Sequence, residues 1–245
     1  MRRYLVPVLV FVLLVGVISA HGEVTEEIAD NYPFETALEL SRILDRQLMF
    51  SFLSASCPHC QDFKDNILSD TGVKEILSSH FVLSLVTLDE TFKIELPGRG
   101  EVTNMQLASG LGLEGTPTTY VFYPPDPELL QEEQGITRFP GNPPDPESLI
   151  DLLERIATES FKEQEKGEGP IYYNYSPSIK EISKKDFNFL QETKVKIPVL
   201  SEKVGLSSLP DVRELIVNFS DNSLKEYSEN IISETSVEKV YLVKD

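Results

Sequence analysis

The sequence contains only two cysteines in 245 residues, and they stand two positions apart in the segment Cys57-Pro58-His59-Cys60. The apolar run from Met49 to Leu53 just before them predicts a buried strand. The stretch from Pro58 to Leu68 predicts a helix. Proline is accepted in the first turn of a helix, because the N–H that it lacks would have no partner there. Cys57 is therefore expected at a helix N-terminus, where free N–H groups and the helix dipole favour a thiolate. Strand, Cys-x-x-Cys and helix in this order indicate a redox site.

Two other roles for the cysteines remain open but are less favoured. A structural disulfide closing a ring of four residues would stabilise the fold by only about 2 kcal/mol, against roughly 4.7 kcal/mol for a long loop. A metal site would need two more ligands, and the other histidines, His21 and His80, show no zinc-like spacing. We therefore expect a redox pair of Cys57 and Cys60, with no metal and no other cofactor.

The first 22 residues have the pattern of an export signal. A basic start, Met1-Arg-Arg-Tyr4, precedes the apolar run Leu5–Ala20, and small residues follow for cleavage. An uncleaved membrane anchor is the alternative, but the run of about 16 residues is shorter than the roughly 20 that a spanning helix needs. In both cases the remainder is expected outside the cytoplasm, periplasmic or extracellular, where a disulfide persists.

Residues 23–161 are expected to form one α/β domain around the cysteine pair. Hydrophobic periodicity and capping residues place its other elements on either side of the pair. We predict helices at 26–46, 70–80, 104–111 and 146–161, strands at 81–88, 115–123 and 135–141, and an inserted hairpin at 89–103 that turns at Pro97-Gly98.

The segment Gly115-Thr116-Pro117 stands ahead of the β-rich run Thr118–Tyr123. A proline at this point suits only an edge or a special position of a sheet. With the strand, the Cys-Pro-His-Cys motif and its helix, the segment makes residues 30–160 resemble the thioredoxin superfamily, and most closely its exported thioredoxin-like branch.

The resemblance implies a thioredoxin-like fold, with a central mixed sheet flanked by helices. It also implies that the Thr116–Pro117 peptide bond is cis and faces the disulfide, where it holds the extended chain of the substrate and keeps metals from the thiols. The pair Pro58-His59 is similar to that of periplasmic disulfide-forming oxidases, and it is expected to lower the pKa of Cys57. One departure concerns Ser51, which stands where the family usually buries a carboxylate that accepts the proton of the second cysteine.

Residues 162–170 are charged and contain glycine, which indicates a linker. Residues 171–245 are long enough for a small accessory α/β module, with a helix at 179–191, a strand at 195–200, one or two helices over 210–232 and a strand at 237–243. This module contains neither Cys nor His, so no catalytic residue is expected in it.

Net charge narrows the choice of partners. The chain carries a formal charge of −18, and an acidic surface repels phosphate backbones, so nucleic acid is excluded as a partner. The expected function is thiol–disulfide exchange with cysteine-containing exported proteins, coupled to a membrane-bound or soluble redox partner. Two alternatives remain: a dedicated electron relay to one partner, of the cytochrome c maturation or sulfur oxidation type, and a non-catalytic folding or assembly factor.

Overall fold

The computed structural model describes residues 29–96, 100–122, 136–160, 171–172, 177–219 and 224–244. The expected signal at 1–22, the hairpin turn at 97–98 and the linker at 162–170 lie outside these ranges. Within them, no helix has the length and apolar composition needed to cross a membrane. In chain order the elements are α1 (Phe34–Leu44), β1 (Gln47–Leu53), α2 (Pro58–Asp62), α3 (Thr71–His80), β2 (Phe81–Thr87), β3 (Lys93–Leu96), β4 (Gly100–Thr103), α4 (Asn104–Gly110), β5 (Thr118–Phe122), β6 (Ile136–Pro140), α5 (Pro146–Thr158), β7 (Glu159–Ser160), β8 (Ile171–Tyr172), β9 (Ser178–Ser183), α6 (Lys184–Glu192), β10 (Val199–Leu200), β11 (Glu214–Val217), α7 (Leu224–Glu234) and β12 (Lys239–Lys244).

The first sheet has the order β2-β1-β5-β6 and is mixed, as expected. Strand β1 runs parallel to β2, with Leu53 opposite Thr87 at their carboxyl ends, and antiparallel to β5. All seven residues of β1 are buried, because helices cover both faces of the sheet. The central strand therefore carries the chain from the core to the cysteine pair.

Two hydrophobic layers fix the position of the helices. On one face, α1 and α4 pack over the aromatic side chain of Phe50, which stacks on Tyr120 and Phe122 with ring centroids 5.3 and 5.1 Å away. On the other face, α2, α3 and α5 enclose a second cluster that includes Cys60 and Phe63. The helix that carries the redox pair is thus packed against α3 and α5 through its buried side chains.

The helix that follows the cysteines is shorter than the sequence predicts. Helix α2 passes directly into a π-helical turn, Phe63–Ile67, and a new helix, α3, begins at Thr71. The Asp70 side chain caps α3 by accepting the N–H of Val73 at 3.1 Å. π-Helical turns often occur at functional sites.

The inserted hairpin is present as β3 and β4, which pair antiparallel. Ile94 and Leu96 point into the core beside α1, whereas the alternating residues Lys93 and Glu95 are exposed. Thr103 and the Gln106 side chain then form a capping box that starts α4.

The sequence prediction is partly wrong for the C-terminal unit. Residues 178–183 form strand β9 where a helix was predicted, and residues 214–217 form strand β11 inside the predicted helical stretch 210–232. Both strands lie in a second sheet of order β10-β11-β12-β9, whose pairs are all parallel. Pairing with β12 and burial against it outweigh the weak local preference for helix.

The C-terminal unit packs directly on the first domain. Tyr241 and Ile216 are buried in the same cluster as Leu40 and Leu44 of α1. The Tyr241 hydroxyl and the Lys239 ammonium group both donate to the Leu44 carbonyl oxygen, at 3.0 and 2.9 Å. The last turn of α1 is thus capped from the other unit, and a cation there suits the negative end of the helix.

Candidate active site

Cys57 and Cys60 form a disulfide at the start of α2. Cys57 is the N-cap residue, and its Sγ atom accepts the backbone N–H of Cys60 at 3.1 Å. Cys57 is partly exposed, whereas Cys60 is 1% exposed. The pair therefore has one sulfur that a partner can reach and one that only its neighbour can reach.

The loop before β5 lies against the first of these sulfurs. The Thr116–Pro117 peptide bond is cis, as the resemblance implied. The Thr116 carbonyl oxygen is 3.3 Å from Cys57 Sγ, and Pro117 is buried. The structure thus brings together four of the predicted site residues, Cys57, Cys60, Thr116 and Pro117.

The two residues predicted to lower the pKa of Cys57 lie in the first turn of α2. Pro58 occupies the first helical position, and the side chains of Pro58 and His59 are both exposed. The carbonyl oxygen of His59 accepts a hydrogen bond from Asn142, whereas the imidazole is exposed and forms no hydrogen bond to a sulfur among the described residues. Their effect on the Cys57 thiolate stays a prediction.

Ser51 lies in the middle of β1 and is fully buried. Its Oγ is 2.7 Å from the Thr119 Oγ1 on the neighbouring strand β5. Two hydroxyl groups are thus hydrogen-bonded to each other at the position where the family usually has a carboxylate. Neither hydroxyl ionises near neutral pH, so this pair cannot act as the base for Cys60.

Asp89, which the sequence analysis did not identify, holds the loop that leads into Cys57. Its carboxylate accepts hydrogen bonds from the Thr87 hydroxyl at 2.7 Å, the Ala55 N–H at 2.6 Å and the Ser54 hydroxyl at 3.0 Å. These bonds, that from Thr87 first, hold the pKa of Asp89 below its usual value. An aspartate directly after a strand was the available signal, and it is a weak one.

Gly141 and Asn142, also not identified from the sequence, connect the two halves of the site. The Gly141 N–H donates to the Pro117 carbonyl oxygen at 2.8 Å. The Asn142 amide Nδ2 donates to the His59 carbonyl oxygen at 2.7 Å and to Asp62 at 3.0 Å. This corner after β6 therefore fixes the cysteine turn relative to the Thr116–Pro117 loop.

No other chemistry is evident in the part of the chain that the structure describes. Within these ranges, no group of three or more His, Cys, Asp or Glu side chains is placed to hold a metal ion. An accessible sulfur at a helix N-terminus, backed by a buried second sulfur, is the arrangement of a thiol–disulfide exchange site.

Comparison with known proteins agrees with this class. Residues 34–142 match the family model described as a thioredoxin-like domain, and this part of the chain is a thioredoxin-like domain. The fold and the cysteine pair together support thiol–disulfide oxidoreductase activity in general. No curated protein matches the sequence.

Three of the similar solved structures differ in how much of this chain they align with. A thioredoxin from Thermus thermophilus is 24% identical, with 53% of this chain and 88% of that chain covered and a TM-score of 0.40. A DsbH oxidoreductase is 17% identical, with 54% and 87% covered and a TM-score of 0.40. The zinc-bound form of human ERp44 is 13% identical, with 89% and 46% covered and a TM-score of 0.35.

Proposed function

We propose that this protein is exported and exchanges disulfides with other exported proteins through Cys57 and Cys60. The observation that carries the proposal is the unequal exposure of the two sulfurs at the start of α2, with the Thr116 carbonyl oxygen beside the accessible one. The N-terminal pattern of residues 1–22 supports export.

The exchange proceeds in two steps that transfer two electrons. In the reducing direction, the Cys57 thiolate attacks one sulfur of a substrate disulfide, which forms a mixed disulfide and releases the other substrate sulfur as a thiolate. Cys60 then loses its proton and attacks Cys57 Sγ, which closes the Cys57–Cys60 disulfide and releases the second substrate thiolate. In the oxidising direction the same steps run in reverse.

Each part of the site has a role in these steps. The backbone N–H of Cys60 stabilises the Cys57 thiolate, because it already points at Cys57 Sγ. Thr116 and Pro117 position the substrate chain beside Cys57. Cys60 is protected from outside partners by burial, so it reacts with Cys57 and not with solutes.

Reduction of insulin by the reduced protein tests the activity, with Cys57→Ser as the inactive control. We expect turnover with the wild-type protein and none with the variant. Equal rates for both proteins would contradict the exchange mechanism and leave a non-catalytic folding factor.

Trapping with Cys60→Ser tests the range of partners. This variant cannot resolve the mixed disulfide, so exported substrates should accumulate covalently on Cys57. Many captured proteins are expected; a single captured partner would instead identify a dedicated electron relay. N-terminal sequencing of the exported protein tests the signal and should give a start near His21 or Glu23.

A further inference from the structure

Asp89 places a fixed negative charge beside the turn that carries the reactive sulfur. The turn from Ser54 to Cys57 is closed by the Cys57 N–H, which donates to the Ser54 carbonyl oxygen at 3.2 Å. The Asp89 carboxylate binds this turn twice, since it accepts the Ala55 N–H at 2.6 Å and the Ser54 hydroxyl at 3.0 Å. A third bond, from the Thr87 hydroxyl at 2.7 Å, ties the same carboxylate to the end of β2. The position of this charge relative to Cys57 is therefore set by the fold.

These contacts limit the distance between the carboxylate and the reactive cysteine. Asp89 Oδ2 lies 2.6 Å from the Ala55 nitrogen, and Ala55 is two residues from Cys57. Because two residues span at most about 7 Å, Asp89 Oδ2 is within about 11 Å of the Cys57 Cα atom. An electrostatic attraction over such a distance needs neither contact nor a particular direction of the side chain.

The charge of Asp89 is both accessible and present near neutral pH. Asp89 is exposed, as are Ala55 and Ser56 just before Cys57. The hydrogen bonds to its carboxylate, that from Thr87 first, hold the pKa of Asp89 below the ordinary value of 3.8. A substrate chain that reaches Cys57 therefore meets an ionised carboxylate on the same surface.

A second carboxylate, Asp62, lies on the other side of the cysteine turn. The Asn142 amide Nδ2 donates both to Asp62 Oδ2 at 3.0 Å and to the His59 carbonyl oxygen at 2.7 Å, so the carboxylate and the turn share one donor. Asp62 is also exposed. It has the same sign of charge as Asp89 and adds to the negative potential around the sulfur.

The cations of the neighbouring elements do not reverse this sign. Arg138, the basic residue of β6, pairs with Glu114 at 3.3 Å. Lys64 follows Cys57 by seven residues, which is about two turns of helix. Carboxylates therefore dominate the charge close to Cys57.

We propose that Asp89 is a specificity-determining residue of the exchange reaction, whose carboxylate favours substrate chains with lysine or arginine within a few residues of the reactive cysteine and disfavours chains with carboxylates there. This proposal rests on the proposed function, because the cysteine of the substrate must exchange with Cys57. At about 11 Å in water, each pair of unit charges changes the relative rate by about twofold before salt screening. Several charges on the substrate multiply this factor.

The test uses three peptides whose cysteine forms a mixed disulfide with thionitrobenzoate. They are identical except that the residues on both sides of the cysteine are lysine, glutamate or glutamine. The Cys57 thiolate of the reduced protein attacks the peptide sulfur, the disulfide bond breaks, and thionitrobenzoate leaves with the electron pair as a coloured thiolate. The ratio of the second-order rate constants for the lysine and glutamate peptides measures charge preference, and the glutamine peptide measures the chemistry alone.

The wild-type protein should prefer the lysine peptide by about threefold or more at an ionic strength of about 0.1 M, and this ratio should approach one at about 1 M, where the Debye length is only about 3 Å. Asp89→Asn removes the charge with little change of shape and should lower the ratio by about threefold. Asp89→Glu keeps the charge and should keep most of the ratio. A lost hydrogen bond to the turn would instead slow the reactions of all three peptides alike.

Asp70→Asn is the matched control, because it changes the net charge of the protein by the same amount. Asp70 caps α3 by accepting the Val73 N–H at 3.1 Å, and asparagine caps a helix equally well. The helical residues 58–67 separate Asp70 from Cys57 by roughly 15 Å, which exceeds the Debye length of about 10 Å at 0.1 M. The ratio in this variant should stay near the wild-type value.

A wild-type ratio near one, or an equal fall of the ratio in Asp89→Asn and Asp70→Asn, overturns the assignment to Asp89 and leaves the proposed function intact. Failure of the wild-type protein to react with the glutamine peptide contradicts the proposed function, and this proposal with it. If Asp89→Asn loses its fold, the glutamine peptide shows it by a lost reaction. Asp89→Gln is then compared with Asp89→Glu, and an equal ratio in these two variants overturns the proposal.

Discussion

The side-chain amide of Asn142 donates a hydrogen bond to the backbone carbonyl oxygen of His59, with 2.7 Å between nitrogen and oxygen. His59 lies between the two cysteines, whereas Asn142 follows β6, so the bond joins segments that are 83 residues apart. Because the neighbouring Gly141 N–H binds the Pro117 carbonyl oxygen, the same corner fixes both sides of the site.

We therefore predict that Asn142→Ala slows exchange with protein disulfides by about tenfold, since a net hydrogen bond contributes about 0.5–1.5 kcal/mol and the loss here misplaces the reacting turn. Asn142→Asp should slow it more, because a second carboxylate would face Asp62. The measurement is kcat/KM for insulin reduction together with the pH profile of Cys57 alkylation.

Asn66 offers the matched control for this prediction. Its amide also donates to the Asp62 carboxylate, at 2.6 Å, but it does not bind the His59 carbonyl oxygen that Asn142 binds. Asn66→Ala should leave the exchange rate and the alkylation profile unchanged. Similar effects of Asn66→Ala and Asn142→Ala would show that Asn142 acts only through general stability.

From the environment of His80 we predict that the protein loses stability in weak acid. Burial, and then the nearby charges of Arg213 and Arg46, lower the pKa of His80 to about 4. An unfolded histidine titrates near about 6.5, so between these values the unfolded chain binds more protons than the folded one. The free energy of unfolding should thus fall as the pH drops from about 6.5 to about 4.

Urea unfolding at several pH values measures this dependence. In the variant His80→Gln the free energy of unfolding should depend less steeply on pH between about 6.5 and about 4, because the side chain at position 80 no longer titrates. His80→Asn, a second neutral replacement at the same position, should give the same shallower slope. An unchanged slope in His80→Gln would contradict the assignment.

The sequence was sufficient to predict the framework of the redox site, because the signals for it are local. The cysteine pair, the buried strand before it and the proline of Thr116–Pro117 each determine structure within a few residues, and all of them lie where expected. Asp89 and Asn142 could not be predicted in the same way. Their roles depend on which distant backbone atoms the fold brings near them, and neither residue type is distinctive by itself.

The errors in the C-terminal unit have the same origin. Ile179 and Ile182 are three residues apart, which suggests a helical face, but Ile182 is buried in a strand that pairs with β12. Likewise, Leu215–Val217 reads as part of a longer apolar helix, yet these residues form a strand between β10 and β12. A short apolar run does not distinguish a buried strand from a buried helix without its partners.

The contact between the two units depends on a largely buried ion pair. Arg46 and Glu214 are each 13% exposed, with 2.7 Å between nitrogen and oxygen, and the Tyr241 hydroxyl lies 3.2 Å from the same carboxylate oxygen. Removal of one partner leaves the other charge buried, which costs about 3 kcal/mol or more. We predict a loss of this size in the free energy of unfolding for Arg46→Met.

The double variant Arg46→Met/Glu214→Leu should recover most of this loss, because no unpaired charge then remains in the contact. Arg42→Met is the matched control: Arg42 also bridges the units, by its bond to Asp186, but its side chain is 50% exposed, so a smaller loss is expected. The changes in the free energy of unfolding for Arg46→Met and Glu214→Leu are measured separately as well. If the change in the double variant equals their sum, the two side chains do not stabilise the protein as a pair.

The last prediction concerns the acidity of Cys57, which sets the direction of exchange. A thiolate at this sulfur would accept the backbone N–H of Cys60 at the start of α2, and the imidazole of the neighbouring His59 is expected to stabilise it further. A free thiol has a pKa near about 8.5, and the strongest oxidases of this chemistry reach about 3.5. We predict a Cys57 pKa below about 6 and a reduction potential above the roughly −270 mV of thioredoxin, because stabilising the thiolate favours the reduced form.

Thiolate absorbance as a function of pH measures the first quantity, and equilibration with glutathione measures the second. In His59→Ser the pKa of Cys57 should rise towards that of a free thiol and the potential should fall, since the imidazole next to Cys57 is gone. His80→Gln replaces a histidine remote from the sulfurs, and both quantities should keep their wild-type values. A wild-type pKa of Cys57 near 8 would rule out an oxidant and leave a reductant or an electron relay, in which electrons flow from Cys57 to the substrate disulfide.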